Sequence, residues 1–341
     1  MLQYLIKRIL MALITLFVIM LVSYMLIRLA PGKPTKSTFL GENSGDSSGL
    51  SADKGAFMQN ESLYKKLYLD KPIIVGFAYW LKGIVLHGDF GDSASVDKGR
   101  PVINLIMDRL PVTLILNICS VIVVYLIAIQ LGIYSAVTKN KLIDNSITIF
   151  LFFLYSLMNV WVALLLQALF CQGGTWEIFP LRGLTVTDTW GKSTWEIMFQ
   201  TVMHYVLPVF CLSYAGIAGL SRYARAGMLE VVKQDYIRTA RAKGVAEYVV
   251  LLKHALRNAM IILITLFAGL LPGLVAGSIM IEFIFNIPGM GSLSMMALSS
   301  RDIPLLMALF TMGSFLTLAG ILVADFLYVL VDPRISFESK R

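Results

Sequence analysis

The sequence predicts an all-α integral membrane protein with six transmembrane helices. Of its 341 residues, 57% are hydrophobic and only 15% are charged, and the mean hydropathy is +0.75. The charged side chains are too few to cover a soluble globule of this size, and they cluster between long uncharged runs. A single segment can satisfy its own backbone groups in lipid only as a helix, so each uncharged run is predicted to be helical.

Six uncharged runs are long enough, or nearly so, to cross a bilayer. A hydrocarbon core of about 30 Å needs about 20 residues at a rise of about 1.5 Å each. We expect the spans to be Ile9–Ile27, Leu110–Thr138, Ser146–Trp176, Met198–Ser221, Asn258–Ile281 and Ile303–Ala324. The chain then divides into an N-terminus with the first helix (1–29), an external segment (30–109) and a five-helix core (110–341).

Basic residues in the short loops predict the orientation. With the N-terminus in the cytoplasm, that side carries fifteen Lys and Arg in its loops and ends, and the opposite short loops carry only Arg182, Lys192 and Arg301. Positive charge marks the cytoplasmic side, so both termini are predicted to be cytoplasmic. A long apolar run followed by Pro31 favours an uncleaved first helix over a signal peptide.

The external segment has two parts of different composition. Residues Gly41–Gly55 are rich in Gly, Ser and Asp and have almost nothing to bury, which is typical of a mobile loop. Residues Tyr64–His87 mix apolar and basic side chains at helical spacing. We expect them to form short amphipathic helices against the outer surface of the membrane.

Motifs for catalysis, nucleotide binding and metal binding are absent from the sequence. There is no G-x-x-x-x-G-K-[ST] loop, no H-E-x-x-H and no G-x-S-x-G. Cys119, Cys171 and Cys211 are odd in number and scattered in apolar sequence, which indicates neither a disulfide framework nor a metal cluster. We therefore expect no catalytic residue, no metal site and no cofactor on this chain. The net charge of +8 reflects cytoplasmic loops and does not indicate nucleic acid.

Ionisable residues inside the predicted spans are scarce. His204, near the outer end of the fourth span, is either a proton relay or a packed polar group. Glu282 and Asp325 lie at helix ends, close to water or to a snorkelling partner. An ion-coupled secondary carrier usually needs ionisable groups near the midplane, so this pattern weakens that alternative.

The fifth predicted span contains three glycines at a spacing of four. Gly269, Gly273 and Gly277 would form one stripe where another helix can approach closely, and Pro272 would kink the helix beside them. The stripe is either ordinary packing within one bundle or the lining of a pathway between two subunits.

The predicted cytoplasmic loop 222–257 carries eight basic residues. Helix formers lie on both sides of Gly244, which predicts two short helices joined by a turn at that glycine. An apolar face is predicted on this hairpin, made of Tyr236, Ile237, Ala240, Val249, Leu252 and Leu256. Composition alone leaves two partners open for that face, an anionic lipid surface or a groove on a cytoplasmic protein.

This loop resembles the EAA loop of permease subunits in binding-protein-dependent ABC importers, within the oligopeptide/dipeptide/nickel branch. Gly244 matches the motif glycine, and Arg238-Thr239-Ala240 stand where the general pattern has Glu-Ala-Ala. Phe179-Pro-Leu-Arg-Gly183 is similar to the Yej-type peptide importers of that branch. Further matches follow in the same order along the chain, at Leu29–Gly32, Asp70–Pro72, Gly88–Ser93, Arg109–Thr113, Glu282–Gly291, Arg301–Asp302 and Asp332–Arg334.

The resemblance implies the type I importer permease fold in a bacterial cytoplasmic (inner) membrane. It implies a second homologous permease, two ATP-binding subunits that hold ATP and Mg, and an extracytoplasmic solute-binding protein. Membrane lipid is a further expected partner, and nucleic acid is not. It also favours an ATPase groove as the partner of the hairpin. The implied coupling residues are Asp235, Tyr236, Arg238, Thr239, Ala240, Arg241, Lys243, Gly244, His254, Leu256 and Arg257.

Two positions depart from the pattern of these permeases. Ile262 stands where proline is common, and Leu157-Met158 replaces a proline-containing turn, so both helices are expected to be straighter there. The sequence predicts a permease for oligopeptides or dipeptides without catalytic activity. The alternatives are an importer permease for nickel or another small solute, an ion-coupled carrier, and a structural or regulatory membrane subunit.

Overall fold

A computed structural model of the chain describes residues 2–29, 71–138, 140–171, 173, 175–180, 183–184 and 193–331. These residues form helices and irregular connections, with no β-strand among them, which confirms the all-α prediction. The predicted mobile loop Gly41–Gly55 lies outside the described residues. By packing, the chain divides into two compact units, Met1–Val112 with Gly289–Leu322 and Thr113–Pro288 with Val323–Arg341. The predicted division at residues 29 and 109 is based on the side of the membrane on which each segment lies, and not on packing, so it stays a prediction.

Twelve α-helices are numbered here in chain order along the described residues. They are α1 Leu2–Leu29, α2 Ile73–His87, α3 Val102–Val137, α4 Lys141–Ser156, α5 Asn159–Phe170, α6 Thr194–Val232, α7 Asp235–Ala242, α8 Glu247–Val249, α9 Leu256–Leu270, α10 Ile279–Ile284, α11 Met290–Ser299 and α12 Ile303–Val331. A π-helical stretch, Val250–Ala255, joins α8 to α9, and a 3₁₀ turn, Leu271–Leu274, follows α9.

In the first unit, aromatic side chains pack α2 against α1. The Tyr24 ring lies 5.7 Å from the Phe77 ring and 6.2 Å from the Trp80 ring, and all three are buried. The opposite side of α2 leaves apolar residues such as Ile74 and Val85 exposed, as a helix at a membrane surface does. The helical part of the predicted amphipathic segment is therefore confirmed for Ile73–His87, and its residues before 71 lie outside the described chain.

In the second unit, α3, α4, α6 and α9 share one apolar core built around Val124, Leu151, Ala218 and Leu263. Helices α3 and α6 approach closely at Gly132 in α3. A Cβ atom at Gly132 would lie 2.5 Å from Ala224 Cβ and 2.8 Å from the Ser221 carbonyl oxygen, so only glycine fits. This contact fixes the spacing between α3 and α6.

Four helices are long and apolar enough to cross a membrane, and α4 with α5 forms a fifth, bent candidate. The protein is therefore multi-pass. The four long segments are Ile6–Leu26, Val102–Val137, Thr194–Val232 and Ile303–Asp325. They match the first, second, fourth and sixth predicted spans, and the full count of six stays a prediction.

The third predicted span is not straight, and the expectation for Leu157-Met158 was wrong. The two helices α4 and α5 meet there at an angle of 95°. Both residues adopt extended backbone, with ψ of 134° and 125°. The Tyr214 hydroxyl donates a hydrogen bond of 2.8 Å to the Leu157 carbonyl, which satisfies a backbone group that the break leaves unpaired. A bend can thus persist without proline when a neighbouring helix supplies the missing partner.

In the fifth predicted span the α-helix ends, whereas the sequence predicted only a kink. The α-helix ends at Leu270, two residues before Pro272, and Gly277 lies beyond the 3₁₀ turn with a φ of 68°. Gly269, Gly273 and Gly277 therefore do not share one helical stripe, and that premise was wrong. Pro272 has no amide hydrogen and cannot continue the α-helical ladder. Ile262 lies inside the uninterrupted helix α9, as expected for a position without proline.

Candidate functional site

The predicted hairpin is present in the second unit as α7, a turn at Gly244, and α8 running into the π-helical stretch. Helix α7 follows α6 after only Lys233 and Gln234, and its first turn begins with Asp235. An acidic residue at a helix N-terminus is stabilised by the helix dipole. The prediction of two short helices around Gly244 is confirmed.

A Schellman motif closes the turn after α7. Gly244 adopts a φ of 74°, its amide donates to the Arg241 carbonyl at 2.9 Å, and the Val245 amide donates to the Ala240 carbonyl at 3.3 Å. These two bonds satisfy carbonyls that the helix end would leave unpaired. An added Cβ at Gly244 would meet nothing within 4 Å, so the requirement for glycine comes from the backbone angle and not from crowding.

An ion pair crosses the turn from α7 to α8. Arg241 donates from Nε to Glu247 Oε2 at 3.1 Å and from Nη2 to Glu247 Oε1 at 2.7 Å. This bidentate geometry holds two groups in a defined orientation. Hydrogen bonding to Glu247 raises the pKa of Arg241 above its ordinary value. The hairpin is therefore braced on both sides of Gly244.

The inner side of the hairpin packs on the second unit itself. Ile237, Val250 and Ala255 are fully buried and form one apolar cluster with Met228 of α6 and Ala259 of α9. This corrects the predicted apolar face, because Ile237 is used for internal packing while Tyr236 and Leu252 stay exposed. The spacing of apolar residues in the sequence could not show that α6 continues to Val232 and covers part of the hairpin.

The outer side of the hairpin is exposed and mostly basic. Tyr236, Tyr248 and Leu252 are 43%, 69% and 57% exposed, which leaves large side chains without cover from the described chain. Among the predicted coupling residues, Ala240, His254 and Leu256 are half-buried. The exposed ones are Asp235, Tyr236, Arg238, Thr239, Arg241, Lys243, Gly244 and Arg257.

Polar contacts tie the start of the hairpin to its end. The Asn258 side chain donates to the Tyr236 hydroxyl at 2.6 Å and so joins α9 to α7. The Thr239 hydroxyl donates to the Asp235 carbonyl at 3.0 Å, and Arg238 lies 3.6 Å from the Asp235 carboxylate. The surface of this hairpin is thus held in one conformation, which is what a docking element needs.

The predicted pathway glycines lie at the end of α9 and in the segment that follows. Gly269 and Gly273 are exposed, and an added Cβ at either would meet nothing within 4 Å. The Asn117 side chain of α3 donates to the Leu274 carbonyl at 2.6 Å and supports the segment where the helix is broken. No described residue of this chain covers the two glycines, so they are open to an approaching partner.

Two acidic residues, Glu282 and Asp302, are buried. Glu282 is only 3% exposed and accepts a hydrogen bond of 3.2 Å from the Thr113 hydroxyl, so it is not at a watery helix end as expected. Asp302, in the first unit, is completely buried. Its carboxylate accepts from the Ser93 hydroxyl at 2.5 Å and from the amides of Ser95 and Val96 at 3.0 and 3.1 Å.

Asp302 also begins α12, because its other carboxylate oxygen accepts from the Leu305 amide at 3.3 Å. Sequence reasoning recognised Gly88–Ser93 and Arg301–Asp302 as separate family matches but did not join them. The sequence did contain one indication of this contact, because Ser93 and Asp302 belong to two matched motifs that are predicted to lie on the same side of the membrane. Among the described residues, no group of three His, Cys, Asp or Glu could hold a metal ion.

Helices long and apolar enough to cross a membrane, together with an exposed basic hairpin, define a multi-pass membrane protein with a surface open to a partner. The chain matches the family described as binding-protein-dependent transport system inner membrane component over residues 128–337. It matches the N-terminal family of the same membrane components over residues 1–117. The chain belongs to this family, and it is a transport subunit of an ABC transporter and not an enzyme.

Similar proteins extend over nearly the whole chain. It is 39% identical over 334 residues to the oligopeptide transport system permease protein AppB of Bacillus subtilis, covering 98% of this chain and 99% of AppB. It is 31% identical to the inner membrane ABC transporter permease protein YejB of Escherichia coli O157:H7, covering 99% of both. It is also 31% identical to the peptidoglycan transport system permease protein YejB of Agrobacterium fabrum, covering 99% of both. The predicted family is thus confirmed.

Proposed function

We propose that this permease carries oligopeptides or dipeptides through the membrane and that the hairpin around Gly244 couples it to an ATPase. The cargo rests on relatives whose names refer to oligopeptide and peptidoglycan transport. A protein that passes cargo of varied sequence needs no fixed ligand set. Accordingly, the sequence of its spans contains no cluster of metal ligands that would favour nickel.

The observation that carries the coupling proposal is an exposed hairpin held by its own internal contacts. A conformational change passes between subunits only if the contacting element fits the two states differently and does not deform itself. The Schellman turn, the Arg241–Glu247 ion pair and the buried Ile237 side chain oppose deformation of the hairpin, which supports the second part of that requirement. Exposed Tyr236 and Leu252 supply the apolar contacts that a groove on an ATPase would bury.

The complete transporter, in this proposal, contains four kinds of part. This chain pairs with a second homologous permease, two ATP-binding subunits dock on the hairpins and hold ATP and Mg, and an extracytoplasmic solute-binding protein delivers the peptide. Closure of the ATPase pair would move the hairpins and turn the membrane cavity outward. The chain itself would bind no cofactor, since its sequence has no phosphate-binding loop.

The uncovered glycines support a contact with the second permease. Gly269 and Gly273 are exposed, and lipid cannot pair the polar backbone groups near a broken helix. A helix of the partner permease could approach closely there. We therefore place the pathway beside Gly269, Pro272, Gly273 and Gly277.

The membrane and orientation follow from the same proposal. The hairpin must lie in the cytoplasm to meet an ATPase, and its basic residues agree with the rule that positive loops stay inside. We place the chain in the bacterial cytoplasmic membrane with both termini in the cytoplasm.

Cross-linking tests the coupling proposal. Lys243→Cys, in a chain whose native cysteines are replaced by alanine and which is co-expressed with its ATPase, should form a disulfide with engineered cysteines lining the ATPase groove. Lys141→Cys is the matched control, because it is exposed and predicted to lie on the same side but outside the hairpin. If Lys243→Cys traps no ATPase under conditions where transport is active, or if Lys141→Cys traps it equally well, the hairpin is not the docking element.

A further inference from the structure

A cavity of about 240 Å³ lies in the second unit between the last turns of α3, the middle of α4 and the last third of α6. Its polar lining is formed by Ser135, Thr148, Ser221, Arg222 and Arg225, and leucines such as Leu229 flank them. This volume is below the roughly 300 Å³ at which pockets for drug-sized ligands begin. It suits a small headgroup and not a peptide.

The charges of this cavity do not balance. Arg225 donates from Nη2 to Asp144, whose other carboxylate oxygen accepts from the Ser135 hydroxyl at 2.5 Å. Arg222 is exposed and forms no ion pair with any residue that the structure describes. One of the two arginines is thus compensated and the other is not, which leaves a net positive charge in the cavity.

Hydrogen-bond donors in the cavity also lack acceptors. Arg225 Nε is buried and has no acceptor among the described residues. An unpaired buried donor costs free energy, which an anionic oxygen would recover. The Thr148 hydroxyl, which is exposed on the cavity wall, likewise has no hydrogen-bond partner in the described part of the chain. Both groups would favour a phosphate ester.

The depth of the cavity matches the headgroup region of a bilayer. From Thr194 to Ser221, α6 rises about 40 Å at 1.5 Å per residue, which exceeds a hydrocarbon core of about 30 Å. Arg222 and Arg225 therefore lie just beyond the core, at the side predicted to be cytoplasmic. Exposed apolar residues on the same helices, such as Ile127 and Ile149, would contact acyl chains.

We propose that this cavity binds the phosphate headgroup of an anionic phospholipid from the leaflet at that end of α6. Arginine guanidinium groups pair well with phosphate, and basic pockets between helices at the cytoplasmic side bind such headgroups. The apolar flank favours a lipid over a free phosphate, because only the lipid also offers acyl chains to Leu131, which lines the cavity one turn closer to the hydrocarbon core than Ser135. A lipid here would bridge α4 and α6 directly before the hairpin begins. The inference is independent of the cargo and of the ATPase contact.

Native mass spectrometry of the purified full-length chain tests this site. Phosphatidylglycerol and phosphatidylcholine with identical acyl chains are titrated separately, and the retained lipid is counted. We expect phosphatidylglycerol to be retained preferentially and Arg222→Gln to weaken its retention about five-fold, equivalent to about 1 kcal/mol for one lost charge contact. Arg222→Lys should keep most of the retention. Arg238→Gln, an exposed arginine on the hairpin, is the matched control and should change nothing.

A second variant separates the charge from the cavity. Thr148→Phe keeps both arginines but fills the mouth, and it should also reduce retention of phosphatidylglycerol. Equal retention of the two lipids by the unaltered chain, or full retention by both Arg222→Gln and Thr148→Phe, would overturn the proposal. Displacement of the lipid by millimolar inorganic phosphate would overturn it in favour of a site for the free anion.

Discussion

At the scale of single residues, Gly244 determines the shape of the hairpin through its backbone angle. Its φ of 74° lies in the left-handed region, and nothing near it would clash with a side chain. A side chain is therefore disfavoured only by its own backbone, at about 1–2 kcal/mol for an L-residue in this conformation. Asparagine tolerates the left-handed region better than other residues do.

This difference gives a graded prediction. We expect Gly244→Val to lower ATP-driven peptide uptake about ten-fold, because a β-branched residue forces the turn out of the left-handed region and displaces the coupling surface. Gly244→Asn should retain most of the uptake. Uptake of labelled peptide is measured per amount of chain in the membrane, which should be similar for all three proteins. Equal uptake by the Val and Asn variants would contradict the role of the backbone angle.

The sequence predicted this residue but not its surroundings. Helix formers on both sides of one glycine are a local signal, and the turn is a local structure. The burial of Ile237 depends on Met228 and Ala259, which belong to other helices. An apolar residue at helical spacing looks the same whether its partner is another subunit or the same chain.

At the scale of elements, the sequence predicted where helices occur better than where they break. The bend at Leu157 is supported by the Tyr214 hydroxyl from α6, a contact between residues far apart in sequence. The break after Leu270 was partly predicted from the sequence, because Pro272 indicated a kink. Its extent depends on Asn117, which supports the Leu274 carbonyl from α3. A break in a membrane helix persists when neighbouring helices form hydrogen bonds with the backbone groups that the break leaves unpaired. The local sequence does not show which neighbours will do so.

The Asp302 carboxylate connects two distant segments of the first unit by hydrogen bonds. It joins the loop that contains Ser93 to the first turn of α12, and its partners are 206 to 209 residues away in sequence. Its complete burial means that water cannot replace it as an acceptor. The loop and the helix therefore depend on one side chain.

We expect Asp302→Ala to lower the free energy of unfolding by about 3 kcal/mol, because it leaves the buried Ser93 hydroxyl and the half-buried amides of Ser95 and Val96 without their acceptor. The midpoint of thermal unfolding of the purified chain measures this, together with the protease sensitivity of residues 89–101. Asp97→Ala is the matched control, because the Asp97 side chain is exposed and its ionic partner in the described part of the chain is Arg100, at 3.5 Å. Equal effects of the two substitutions would show that Asp302 does not hold the loop.

At the scale of the whole molecule, composition predicted the class of fold, and the resemblance predicted the family. The number of spans is less accessible, because a broken helix of short pieces does not look like a transmembrane segment in length. The two compact units were also not predicted, since α3 and α12 each begin in one unit and end in the other. A division of that kind depends on packing between distant segments.

The source of energy separates an importer subunit from an ion-coupled carrier. We expect uptake of labelled peptide by cells with the complete transporter to stop when ATP is depleted and to continue when the proton gradient is collapsed. The physical reason is that the spans of this sequence offer no ionisable group near the midplane for proton coupling. The reverse result would identify the chain as a carrier that works alone.

The open surface beside Gly269 and Gly273 has a consequence for how cells make this protein. A broken helix whose glycines are covered by no described residue of its own chain lacks a packing partner in a lipid environment. Synthesis of this subunit must therefore be matched to that of its companions, and surplus copies would become substrates for membrane proteases. The feature that leaves room for transport also makes the lifetime of the lone polypeptide short.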